Sequence, residues 1–200
     1  MRRGARAAMA GACFLLAPVA ARAHPVDTGL GPLLDGAAHL FLSIDDLLAV
    51  VAMAVLASQH DEATAQRAAG TLPAAWFVGG MAGFAAGRIW LPVSMTSLSL
   101  LALGVLVAAG RRLPKALVTA LAVAVGLVHG LPNGASLSAG GNEGMVLGGI
   151  VAAVLVVTTL IVVPGLRLHA TGARIALRVA GSWIAAIGLL QLGWALSGRL

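Results

Sequence analysis

From Gly144 to Leu166 no residue carries a charge, and nearly all are apolar. At about 1.5 Å per residue, one α-helix of that length crosses a hydrocarbon core about 30 Å thick. The chain contains several such runs. Of its 200 residues, 60% are hydrophobic and 10% are charged, against about a quarter charged in an ordinary soluble domain. That leaves too little polar side chain to coat a globule. No sustained alternation of apolar and polar residues points to barrel strands. The expected class is all-α, a polytopic membrane protein.

The N-terminal stretch has the build of a cleavable signal peptide over residues 1–23. Arg2, Arg3 and Arg6 precede a short apolar core, and Ala21-Arg22-Ala23 fits the small-x-small cleavage rule. Removing it takes away Cys13, the single cysteine, and with it any disulfide or thiolate ligand. It also takes four of the thirteen basic residues, leaving nine against seven acids. A net charge that small gives no sign of nucleic-acid binding.

The remainder, 24–200, reads as one transmembrane domain with six spans at about 32–57, 72–90, 94–110, 115–132, 143–165 and 174–196. Signal cleavage places the mature N-terminus outside, and an even number of spans returns the C-terminus to the same side. Arg67, Arg111, Arg112, Lys115, Arg167, Arg174 and Arg178 then fall inside, and Arg88 and Arg199 outside. That bias agrees with the positive-inside rule and suits a bacterial inner membrane. Trp90 and Trp194 fall near outer helix ends, at the aromatic belt. Gly79, Gly83 and Gly87 repeat every four residues, a small-residue stripe for close helix packing. Gly144, Gly148 and Gly149 are candidates for the same role. Three spans plus three would give halves of inverted topology, a 3+3 repeat in which the first span matches the fourth.

The polar anomalies fall in those two spans. "GAAHLFLSIDDLLAVVAMAVLA" (36–57) contains His39, Asp45 and Asp46. A charge at the bilayer centre costs at least about 2.5–3.5 kcal/mol, and no lysine or arginine lies at matching depth. The carboxylates are therefore protonated, paired or visited by a cation. His39 and Asp46 share a helix face, but a straight helix separates them by roughly 10.5 Å along its axis. One ion reaches both only if the helix breaks near Ser43; otherwise they are two stations. His129 in the fourth span lies at a depth like that of His39, which suggests an outer histidine pair. A core histidine bonded to a carbonyl is the plain alternative for each. His24, first in the mature chain, and Asn133 are candidates for outer metal capture. His60, Asp61 and Glu62 read as a solvated inside loop, and Asn142-Glu143 as a helix cap with a first-turn acid.

At these residues the chain resembles the HupE/UreJ family of hydrogenase and urease accessory membrane proteins. The family pattern of His, five residues, then Asp-His is met by His39 and Asp45, with Asp46 where the family has histidine. A second motif, "FHGHAHGAE" in the family, resembles "VHGLPNGAS": His129, Gly130 and Gly134 match, while Leu131 and Asn133 replace histidines. The resemblance implies a permease for a divalent metal ion, nickel or cobalt, serving metalloenzyme maturation. The lost imidazoles harden the donor set and put nickel preference in question. It implies no enzyme activity and no permanently bound cofactor. The expected partners are lipid, the transported ion and hydrogenase or urease maturation proteins. The alternative is a non-transporting scaffold for assembling those enzymes. His39, Asp45, Asp46 and His129 are the expected metal ligands.

Overall fold

The computed structural model describes residues 27–87, 92–137, 140–168 and 170–197. The signal peptide, His24, Arg88, Trp90, His169 and Arg199 lie outside these residues. Seven helices occur among the described residues, and no strand: α1 (Pro32–Leu42), α2 (Ile44–Ser58), α3 (Glu62–Ala86), α4 (Val93–Ala109), α5 (Lys115–Ala135), α6 (Glu143–Gly165) and α7 (Thr171–Leu196). By length and composition α5, α6 and α7 can each cross a membrane, and α1 with α2 can do so as a pair bent by 78°.

That bend divides the first expected span, 32–57, into two helices. The chain leaves helical geometry at Ser43 (φ −87°, ψ 87°) and re-enters at Ile44. Neither glycine nor proline marks the break. The Ser43 hydroxyl meets the His39 ring at 3.2 Å rather than capping α2.

The helix in the region of the second expected span, 72–90, begins earlier, at Glu62. Asp61 caps α3, its carboxylate accepting from the Thr64 N–H at 3.2 Å and the Thr64 hydroxyl at 2.9 Å. The alanine-rich stretch after it favours helix, and Thr64, Ala65 and Ala68 are buried. From Glu62 to Gly70 the chain is thus the first turns of α3, not a loop. His60 is buried too. Its Nδ1–H donates to Leu56 O at 2.9 Å and its Nε2 accepts the Leu113 N–H at 2.9 Å. It ties the end of α2 to the chain entering α5.

Glycines set the helix pairs. α3 packs on α5, α1 and α2 on α6, and α4 on α7. A methyl group at Gly83 would overlap the Leu131 carbonyl oxygen, and one at Gly134 the Gly80 carbonyl oxygen. Gly79 also faces α5, less tightly, its Cβ position 2.9 Å from Leu127 O. Gly87 does not join the stripe: it ends α3 at φ +69°, with nothing within 4 Å of its Cβ position. Of Gly144, Gly148 and Gly149 in α6 only Gly149 makes such a contact, against Leu33 O of α1; Gly144 meets nothing and Gly148 only a leucine methyl at 3.9 Å.

Candidate functional site

The close approach of α3 and α5 builds the site. Gly126, Gly130 and Gly134 let α5 lie against the α3 backbone at Leu72, Trp76 and Gly80. The Trp76 indole then stacks on the His129 imidazole, centroids 5.5 Å apart and planes 29° from parallel. Both rings have no exposed surface.

The break at Ser43 supplies the other half. It makes Asp45 and Asp46 first-turn residues of α2 instead of mid-helix ones. Unpaired N–H groups and the positive end of the helix dipole favour carboxylates there, by about 0.3–1 kcal/mol or up to about 2 in buried geometry. Asp46, only 7% exposed, faces α5. Its Oδ1 lies 2.8 Å from His129 Nδ1, and its Oδ2 accepts from Asn133 Nδ2 at 2.9 Å. Asn133 Nδ2 also donates to His129 O at 2.7 Å. With both hydrogens so used, the amide orientation is fixed: a flip would set Oδ1 against two acceptors.

Hydrogen-bond chemistry also fixes the charge of this group. The Ser99 hydroxyl of α4 donates to Thr96 O at 2.7 Å and lies 2.8 Å from His129 Nε2. A hydroxyl has one proton, so Nε2–H must donate to Ser99. The hydrogen between Nδ1 and Oδ1 then makes either carboxylate with imidazolium or carboxylic acid with imidazole. Both forms carry no net charge. A buried acid is tolerated without lysine or arginine because histidine neutralises it.

Asp45 points elsewhere. Gln191 Nε2, near the end of α7, donates to its Oδ1 at 2.5 Å. The four expected ligands are therefore divided. Asp46 and His129 meet, Asp45 joins Gln191, and His39 stays with Ser43 on α1. The expected His39–His129 pair is not formed; His129 is taken by Asp46. Asn133 is 5% exposed and lies beside Asp46. Among the described residues no three His, Cys, Asp or Glu side chains converge as a ready metal cluster. Sequence reasoning missed Trp76, Ser99 and Gln191. Only Gln191 carried a signal, as a lone amide in an apolar helix.

Two acceptors stand out. Asn133 Oδ1 and Gln191 Oε1 are buried without any hydrogen-bond partner. Each belongs to an amide whose nitrogen holds a carboxylate. Buried acceptors normally find a donor; an oxygen left without one, beside a carboxylate, suits a cation.

A search of characterised proteins and one of solved structures return no match. The family described as HupE / UreJ protein matches residues 12–191, which takes in α1 to α6 and all of α7 but its last turn. The chain is a multi-pass membrane protein and belongs to the HupE/UreJ family.

Proposed function

We propose that the chain is a permease for a divalent transition-metal ion, nickel or cobalt, in the bacterial inner membrane. The observation that carries this reading is the pair of carboxylate–amide units at the start of α2, each with an orphaned amide oxygen. Asp46, Asn133 and His129 form one station; Asp45 and Gln191 form a second. His39 lies on α1 just before the break and serves as an entry ligand, as His24 does at the mature N-terminus. The site as described is closed, because Asp46 and His129 satisfy each other. An entering ion takes the Asp46 oxygens and Asn133 Oδ1, and the hydrogen bond to His129 yields. Two oxygen donors for one imidazole make a harder set than a histidine cluster, so cobalt, zinc or manganese competes with nickel better than in a histidine-rich site.

Six spans complete the reading, with α3 and α4 crossing beside the four candidates that meet the length and hydropathy criteria. A 3+3 inverted repeat is supported by the glycine contacts. Gly83 meets Leu131 O and Ala135 N just as Gly149 meets Leu33 O and Ala37 N. One shift along the chain takes Leu131, Gly134 and Ala135 to Leu33, Gly36 and Ala37; another takes Gly80 and Gly83 to Val146 and Gly149. Gly104 on Gly181 O and Ala185 N mirrors Gly188 on Ser97 O and Leu101 N. This register relates α1 to α5, α3 to α6 and α4 to α7. It does not align His39 with His129.

Equilibrium dialysis of the purified full chain against nickel, cobalt, zinc and manganese tests the reading. Wild-type protein binds at least one of them, and Asp46→Asn and Asn133→Leu weaken that binding. A scaffold without transport chemistry binds none, or binds equally well in all three forms.

A further inference from the structure

At the opposite end of the bundle from Asp46, a cavity of about 430 Å³ opens between the ends of α2, α4 and α6 and the first turns of α7. That volume falls in the usual range for small-ligand sites, about 300–1,000 Å³. Arg112, Arg174 and Arg178 line it, and no acidic residue does among the described residues. Among the described residues the ion pairs are Lys115–Asp61 and His129–Asp46, so none of the three guanidinium groups meets a carboxylate.

Helix capping explains only part of this cluster. Arg178 donates one N–H, from Nε, to Ala108 O at 2.7 Å at the end of α4. Gly110, left-handed at φ +60°, leaves room for the Arg178 side chain, whose Cδ lies 3.2 Å from the Gly110 Cβ position. The arm is thereby held in place, and among the described residues nothing takes its two terminal nitrogens. No carbonyl takes Arg112 or Arg174 among the described residues. The N-terminus of α7, another wall of the cavity, has no side-chain cap on its first turn. Its free N–H groups and positive dipole end favour an anion there. Gln59, also in the lining, has its Oε1 buried and without a partner. It suits a hydroxyl or protonated oxygen on the same ligand. Beside the arginines, Ile175 and Val179 are more than half exposed, an apolar strip that continues down α7 toward lipid.

We infer that this cavity is a binding site for a phosphate-bearing anion, held by Arg112, Arg174, Arg178 and the first turn of α7. Guanidinium forks match phosphate oxygens in pairs, and basic pockets between helices at the cytoplasmic face take lipid headgroups. The same chemistry accepts a phospholipid headgroup or a soluble phosphate. The site is independent of metal transport and stands whether or not the chain moves ions.

The test uses the purified full chain in two settings. In an uncharged detergent, inorganic phosphate is titrated and its binding read by calorimetry. In lipid nanodiscs, phosphatidylglycerol is titrated into phosphatidylcholine and lipid retention is read by native mass spectrometry. A headgroup site retains phosphatidylglycerol over phosphatidylcholine; a soluble-ligand site binds phosphate in detergent. In either case Arg174→Gln weakens binding roughly ten- to a hundredfold, the value of a charge-assisted hydrogen bond. Arg174→Lys recovers part of it. Arg67→Gln, exposed on α3 outside the cavity, leaves it unchanged. Binding of neither ligand by the wild type overturns the inference, and so does an equal loss in Arg67→Gln and Arg174→Gln. Arg174 and Arg67 are surface residues, so both variants fold.

Discussion

Replacing Asp46 with alanine takes the hydrogen-bond partner away from two buried groups. His129 Nδ1 and Asn133 Nδ2 each lose a bond of 2.8–2.9 Å. Asn133 keeps its second hydrogen on His129 O, so one polar atom or hydrogen per partner is stranded. A stranded buried donor or acceptor costs about 1–3 kcal/mol, and the two together about 2–6 kcal/mol. For a domain of 150–250 residues that is a lowering of Tm of roughly 5–20 °C. Asn133→Ala strands only Asp46 Oδ2 and costs about half as much. In the double variant Oδ2 and Nδ2 are both gone, so the costs do not add. Thermal unfolding of the two single variants and the double in one detergent gives the coupling, expected at about 0.5–3 kcal/mol. Additivity within about 0.5 kcal/mol, or an Asp46→Ala variant that melts with the wild type, refutes the buried pairing of α2 with α5.

Gly83→Ala drives a methyl into the Leu131 carbonyl and lowers stability by about 1–3 kcal/mol, whereas Gly144→Ala, in open space on α6, raises it by about 0.5–1 kcal/mol; equal thermal shifts contradict the packing described. His60→Ala strands the Leu113 N–H and costs about 1–3 kcal/mol by the same thermal measurement, an effect a solvated loop residue lacks. The Thr64 hydroxyl and amide, and then Lys115, hold the Asp61 carboxyl below its ordinary range. Its cap therefore stabilises above the unfolded pKa and is lost as pH falls through the lower folded one. Asp61→Asn flattens that acid limb of the melting profile; an unchanged profile contradicts the cap.

The class was legible because runs such as 144–166 have one physical solution in a chain with so few charges. The buried acid was legible for the same reason: Asp46 sits among residues that have no other cause to be polar. Its partner His129 was visible, and so was Asn133. What was hidden depends on tertiary contact. Ser43 breaks a helix without glycine or proline, through its place between His39 and Asp46. Ser99 is one hydroxyl among several in "SMTSLSL". Trp76 reaches His129 only because Gly130 lets the two backbones close. His60 looked solvated because acids follow it, yet the acids cap α3 while the imidazole turns inward.

The most direct test of a cation path through the carboxylates is uptake of radiolabelled nickel and cobalt into proteoliposomes carrying the purified chain. The wild type is expected to accumulate at least one ion above empty liposomes, with Asp46→Asn reduced to background and Arg67→Gln unaffected. Accumulation by Asp46→Asn at the wild-type rate, or none by a folded wild type under an imposed ion gradient, contradicts the account.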